Sequence, residues 1–231
     1  LPIAMKSDYI FTSDSSMISQ YNKDTGNKNV YLLKYGVNPM FHNPVGFCTG
    51  NKAKIIKKNS VFFAGSWASR YQERCVDSQM IFDGVLDTTN LLFIADRNNG
   101  NPEYYFPNKY WQYILPPISH DLLQRVHKLF EWSINVNSIK NSPTMCAMRV
   151  YELQALGSLI LSNYSNAVFN TFPNIFLINR KDEIGEIISN YSEEDKYKMQ
   201  VHAIRNVFSQ NTVFERLKYI FDKIGIKEVI N

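Results

Sequence analysis

Three cysteines stand in 231 residues, Cys48, Cys75 and Cys146, an odd number and far apart. That argues against a disulfide scaffold or a zinc cluster and fits a reducing compartment, so a cytoplasmic location is expected, with peripheral membrane association as its variant. No apolar run approaches the roughly 20 residues that a membrane span needs, and no secretory leader opens the chain. Leu1 rather than Met comes first, the mark of a fragment or a processed chain. The four histidines (His42, His120, His127, His202) have no metal-ligand spacing, and surface roles are expected of them; no metal or other cofactor is expected. Phosphate-binding GxxxxGK[ST], dinucleotide-binding GxGxxG and nucleophile-elbow GxSxG patterns are all missing. So is any Asp-X-Asp pair, the usual seat of a divalent ion beside a sugar nucleotide. The formal charge of +4 is too small to attract nucleic acid across the whole surface. A hydrophobic share of 45% with 20% charged residues leaves an ordinary globular protein with a large core.

Short apolar runs alternate with amphipathic stretches. Strands are expected at 9–13, 30–35, 61–64 (VFFA), 91–95, 111–115 (WQYIL), 132–137, 159–162 and 175–178. Helices are expected at 15–23, from about 69 to 86, from Ser119 onward, from Ser142-Pro143 to Leu156, and at 182–190, 193–209 and 212–224. A continuous run such as VFFA suits a strand covered on both faces. The Pro-bearing stretch 36–44 and the basic stretch 50–58 place a domain boundary between about Pro44 and Asn59, dividing 1–45 from 46–231. Strand–helix alternation predicts an α/β fold with a Rossmann-like parallel sheet and helices on both faces. Ligands of such folds lie outside the carboxyl ends of the strands, so the strand-to-helix turns carry the functional expectation.

Four turns qualify. In the first, Asn137, Lys140, Ser142, Pro143 and Thr144 precede a helix that carries Arg149 and Glu152. A helix N-terminus with hydroxyls and a lysine suits phosphate. Arg149 and Glu152 share a face, three positions apart. Either they pair with each other and Ser142 only caps, or Arg149 faces a phosphate while Glu152 accepts from both hydroxyls of a ribose. The second turn is Gly65-Ser66-Trp67 with Arg70 and Arg74, one helical turn apart and able to grip a diphosphate; Glu73 is the alternative partner of Arg70. In the third, Leu115-Pro116-Pro117 offers an apolar rest for a flat base, or simply ends a strand. The fourth holds Asn166 and Ala167 after the strand LILS, as a ligand lining or a plain turn.

The segment Tyr35-Gly36-Val37-Asn38-Pro39-Met40-Phe41-His42-Asn43-Pro44 resembles the GVDxxxFxP segment that links the two Rossmann-like halves of GT-B glycosyltransferases. The stretches LLQRVHKLFEWSINVN and SPTMCAMRVYELQALGSLILSNYSNAV resemble the donor half of that fold, in the branch named after the spore maturation protein CgeB. The matching positions are Asn137, Ser142, Pro143, Arg149, Glu152, Ala155 and Gly157.

The resemblance implies a metal-independent glycosyltransferase, bacterial and concerned with cell-surface polysaccharide, whose donor is a nucleoside-diphosphate sugar, expected to be UDP-linked. It implies that Glu152 binds the donor ribose, that Arg149 and Ser142–Thr144 contact the diphosphate, and that Gly65, Ser66 and Trp67 lie where the sugar or leaving phosphate crosses the cleft. Arg70 or Arg74 would offset charge on the departing nucleotide, with Arg70 and Arg149 as the catalytic pair. The acceptor, a glycan, a lipid-linked molecule or a protein, is not specified. Residues 1–44 would be a remnant of the acceptor half, the rest of that N-terminal domain being a further part of the same protein. Many retaining members carry two glutamates eight positions apart, and the earlier one is missing here. A non-catalytic nucleotide-sugar-binding module and a wall-polymer phosphotransferase-like enzyme are the alternatives.

Overall fold

A computed structural model describes residues 2–45, 57–98 and 100–226. Six strands form one sheet: β3 (Lys57–Gly65), β4 (Leu92–Asp96), β5 (Ile114–Leu115), β6 (Phe130–Asn135), β7 (Leu159–Asn163) and β8 (Phe176–Ile178). Their order is β5-β4-β3-β6-β7-β8 and every pairing is parallel. A smaller sheet pairs β1 (Ile10–Thr12) with β2 (Val30–Leu32), also in parallel, across helix α1 (Ile18–Thr25).

The run VFFA shows why the large sheet is buried on both sides. Val61 and Phe63 face one cluster with Ile81, Phe82 and Val85 of α2 (Gln72–Thr88) and Ile184 and Ile188 of α6 (Glu183–Asn190). Phe62 and Ala64 face the other side, towards Phe130 and towards Leu123 and Val126 of α3 (His120–His127). A third cluster joins α4 (Met148–Ala155), α5 (Asn166–Thr171) and α7 (Glu193–Gln210) to Ile160 of β7.

Gly84 sets the distance between α2 and α6. A Cβ built there would lie 2.6 Å from the Lys181 carbonyl oxygen and 2.7 Å from Ile184 Cδ1. The first is backbone and cannot rotate away. Gly84→Ala is therefore expected to cost about 1–3 kcal/mol through forced separation of the helices, which chemical denaturation would read as a lower midpoint at unchanged slope; an unchanged midpoint would refute it.

The chain returns to its own beginning at α8 (Val213–Ile224). Val37 and Thr212 form a parallel bridge, the Arg216 guanidinium donates to the Tyr35 carbonyl from Nε and Nη2 at 3.1 and 3.0 Å, and Lys223 lies over the Tyr31 ring. The expected boundary around 44–59 falls largely on residues 46–56, outside the described residues.

Four elements differ from expectation. The stretch 108–113 is a 3-10 helix and not a strand, leaving only Ile114 and Leu115 in β5. Here Trp111 Nε1 donates to the Phe106 carbonyl and Tyr110 is buried with its hydroxyl donating to Asp83. Helix α2 starts at Gln72 and not near Ser69, because Ser69 donates its hydroxyl to the Glu103 carbonyl and Trp67 to Tyr71 form a turn. Helix α4 starts at Met148, six residues after Ser142, because side chains engage the intervening backbone N–H groups: Ser142 Oγ accepts from Thr144 and Met145, and Asn137 Oδ1 accepts from Ala147. The helix α5 was not expected; its first backbone N–H, at Asn166, donates to the Lys140 carbonyl.

Candidate functional site

The chain runs from β3 outward through β4 to β5, then crosses to β6 on the other side of β3. The strand order reverses between β3 and β6, and open parallel sheets bind ligands in the crevice that such a reversal creates. A cleft of about 890 Å³ lies there, lined by Gly65 from the end of β3, Asp96 from β4, Pro117 and Ile118 after β5, Val136 and Asn137 after β6, and Met148, Arg149 and Glu152 of α4. Tyr35 and His42 of the segment 35–44 close one wall.

Positive charge dominates the floor. Arg74, Arg97 and Arg149 all line the cleft, against the carboxylates of Asp96 and Glu152. Burial, with Arg74 and Arg97 nearby, pushes Arg149 down to about 10 despite the opposing pull of Glu152. Its guanidinium stands 5.9 Å from the Phe63 ring centroid and has no carboxylate oxygen within 4.0 Å among the described residues. Gly65 makes room for it: a Cβ there would meet the Phe63 ring at 2.7 Å and Arg149 Nη1 at 3.4 Å. Glu152 instead lies 3.7 Å from His42 Nε2. The mutual Arg149–Glu152 pair, one of the two readings open from spacing alone, is therefore not formed. No side chain caps α4, whose first residues Met148 and Arg149 line the cleft, so the positive end of its dipole adds to the arginines.

Three histidines, His42, His120 and His127, line this cleft, and two of them, His42 and His127, are withdrawn from the surface. His127 is buried, with Nδ1 3.2 Å from Ser133 Oγ and its ring edge on Phe62. Burial first, then Arg149 and His42, drive it down to about 3, so it is neutral at physiological pH. His42 is also held below its usual value by burial, against the pull of Glu152. Single histidines carry no spacing signal, which is why these two escape sequence reasoning; His42 had a cue, since it stands in the segment that resembles an interdomain linker. Asp96 carries a signal only in its place at a strand end. Burial raises its carboxyl, while Oδ1 accepts from the Asn98 N–H.

Of the residues expected in the site, Gly65, Arg74, Asn137, Arg149 and Glu152 line the cleft. Arg74 also donates from Nη1 to the Ser66 carbonyl at 2.8 Å, and Asn137 organises the turn by bonding Ala147, Ser162 and Asn163. The others are not among the residues that line the cleft, and their contacts lie elsewhere. Arg70 lies ahead of α2, over the Tyr71 ring, and not in the first turn of the helix. Trp67 packs on Phe106 and Tyr110 in the core, and Ser66 Oγ accepts from Asn98. Lys140 is paired with Asp77 at 2.6 Å. Ser142 is buried and turns on Met145, Pro143 is exposed, and Thr144 donates to the Ser13 carbonyl and accepts from the Ser15 N–H, tying the site loop to the N-terminal segment. Thr144 stands eight positions before Glu152. Leu115 packs with Phe62 in the core while Pro116 is exposed, so Pro117 and Ile118 line the cleft in their place. Asn166 bonds Asn141 and Tyr164, and Ala167 is wholly buried.

Among the described residues no cluster of three or more His, Cys, Asp or Glu could hold a metal ion, and no helix is long and apolar enough to cross a membrane.

No protein-family model and no curated protein matches the chain. Solved structures do. The chain is similar to HepE of Anabaena in complex with UDP-glucose, with a TM-score of 0.66 at 11% identity over 95% of this chain and 64% of that one. It is similar to a glycosyltransferase from Rickettsia africae, with a TM-score of 0.66 at 14% identity over 98% of this chain and 65% of that one. A third is WaaG, a glycosyltransferase involved in lipopolysaccharide biosynthesis, with a TM-score of 0.58 at 9% identity over 93% of this chain and 62% of that one. The chain thus spans just under two thirds of the length of these proteins. Its six-stranded parallel sheet and flanking helices are one Rossmann-like half of the GT-B glycosyltransferase fold.

Proposed function

We propose that the chain is the donor-binding part of a glycosyltransferase that takes a sugar from a nucleoside-diphosphate sugar, UDP-linked by preference, and passes it to a bacterial glycan, lipid-linked or protein acceptor. The observation that carries this reading is the separation of Arg149 from Glu152. A guanidinium with no carboxylate within 4.0 Å among the described residues and a carboxylate not paired with it share one cleft at the strand-order reversal. Arg149 and Arg74 are assigned to the diphosphate and Glu152 to the two pentose hydroxyls. The apolar turn at Pro117 and Ile118 receives the base. UDP and UDP-glucose in the HepE structures support the choice of nucleotide.

In the reaction the bond from the anomeric carbon to the diphosphate oxygen breaks, a bond from the acceptor oxygen to that carbon forms, and the acceptor hydroxyl's proton passes to the departing diphosphate. The electron pair leaves on the diphosphate, so its negative charge grows in the transition state. Fixed arginines and the start of α4 stabilise that charge at no reorganisation cost, which is why charge compensation is assigned to them and not to a resident metal.

Calorimetry with UDP, GDP and their sugars tests the reading. Glu152→Ala is expected to weaken nucleotide binding about ten- to a hundredfold, the worth of a charge-assisted bidentate contact. Absence of binding by any of these nucleotides, or equal binding by the variant, would sink it.

A further inference from the structure

His42 connects the segment 35–44 to the pentose-binding carboxylate. Its Nε2 is the nitrogen facing Glu152, 3.7 Å from Oε1. Its Nδ1 is shut off from solvent and has no hydrogen-bond partner among the described residues. A buried N–H without an acceptor is costlier than a buried lone pair of a ring nitrogen, so Nδ1 is the bare nitrogen and Nε2 carries the proton. The same missing partner opposes a second proton, as does the burial that, with His120 and Lys128, holds the ring below its usual value against the pull of Glu152. The imidazole is thus a neutral donor aimed at the carboxylate. Its backbone is fixed from both sides: the His42 N–H donates to the Asn38 carbonyl at 2.9 Å, and Lys128 Nζ, from the end of α3, donates to the Val45 carbonyl at 2.8 Å.

We propose that His42 is a positioning residue that orients Glu152 to accept both pentose hydroxyls, so that the seating of the segment 35–44 sets how well the cleft holds a ribonucleotide. This rests on the assignment of Glu152 to the pentose made above. The 3.7 Å separation closes to a hydrogen bond with a small rotation of either side chain, and contacts of this kind are often long until the ligand is bound. A carboxylate held on one side by Nε2–H has one rotamer to present and loses less freedom on binding.

The test measures UDP and GDP, each beside its 2′,3′-dideoxy counterpart, on the full chain and on His42→Ala, His42→Gln and Glu152→Ala. His42→Ala is expected to weaken ribonucleotide binding about tenfold and to leave the dideoxy nucleotides unchanged. His42→Gln, whose amide nitrogen reaches the place of Nε2, should recover most of the loss. A structural role for His42 would lower both kinds of nucleotide together, which overturns the proposal, as does tighter ribonucleotide binding by His42→Ala, the sign of a residue that blocks the carboxylate. If Glu152→Ala separates ribose from dideoxyribose and His42→Ala does not, this inference alone fails. If Glu152→Ala does not separate them, the pentose assignment fails and takes this inference with it.

Discussion

Arg149→Met should lower nucleoside-diphosphate affinity about a hundredfold or more while raising the melting temperature of the free protein. The loss follows from a guanidinium fork on phosphate: two charge-assisted hydrogen bonds, each worth about 1.5–3 kcal/mol, disappear together. The gain follows from what the charge costs the folded chain. Burial and the neighbouring Arg74 and Arg97 push Arg149 down to about 10, well below an ordinary guanidinium, and Glu152 only partly offsets them. A base lowered in the folded state binds its proton more weakly there than in the unfolded chain. At neutral pH the group is charged in both states, so its cost is fully present and flat with pH. It is relieved only as pH rises through about 10 towards the range of an ordinary guanidinium, where stability should climb. Methionine keeps most of the volume and packs on Phe63 without the charge. Arg149 is only partly buried and has no ion-pair partner among the described residues, so removing its charge is expected to gain about 1–3 kcal/mol. For a chain of this size each kcal/mol moves the midpoint by about 2–4 °C. The contact with the Phe63 ring, 5.9 Å from centroid to guanidinium, is worth less than that gain, about 0.5–1 kcal/mol. Thermal scans with added UDP complete the measurement. The wild type should gain stability as ligand rises, by mass action, and the variant should not. A variant that is less stable and binds UDP as before would refute the assignment.

The same arginine marks how far the sequence could be read. Arg149 and Glu152 sit three apart on a helix of otherwise apolar and small residues, and that spacing was enough to put both on one face. The parallel sheet was legible because fully buried strands announce themselves as unbroken apolar runs, as in VFFA. What spacing could not convey was the competition for backbone donors. Ser142 satisfies Met145 and Asn137 satisfies Ala147, so the helix starts six residues late and Ser142–Thr144 lie in the loop before it. Lys140 looked available for an anion because nothing in its neighbourhood opposes it in sequence; its partner Asp77 comes from α2, 63 positions away. Arg70 was lost for a similar reason, since a single hydroxyl bond from Ser69 to the Glu103 carbonyl delays α2. His42 and His127 were hidden for the opposite reason. His42 stands in the segment 35–44 and His127 seven positions from His120 on α3, so neither spacing points to the cleft, and only folding brings them within reach of Glu152 and Arg149.

Lys196→Met alone is expected to destabilise the protein by about 3–5 kcal/mol, and the loss should largely vanish when Glu131→Gln is added. Lys196 Nζ lies 2.6 Å from Glu131 Oε1, and both side chains are only 9% exposed. The other carboxylate oxygen accepts from the Asn59 N–H at 2.6 Å. Asn59 has a positive φ of 56° at the irregularity where β3 shifts its pairing with β6. The carboxylate therefore does two things: it neutralises a lysine brought in by α7, and it satisfies a backbone donor that the shifted ladder leaves unpaired. Taking the lysine away strands a buried negative charge. Glutamine in place of Glu131 still accepts from Asn59 without carrying charge, so the double variant restores balance. The pair sits at the start of β6, at the amino end of the sheet, with the cleft at the other end. UDP affinity should accordingly stay at the wild-type value in both variants at temperatures where they remain folded. Guanidinium melts read the coupling as a double-mutant cycle. Additive losses would show that the two side chains act separately, and a fall in UDP affinity would show that the sheet transmits strain to the cleft.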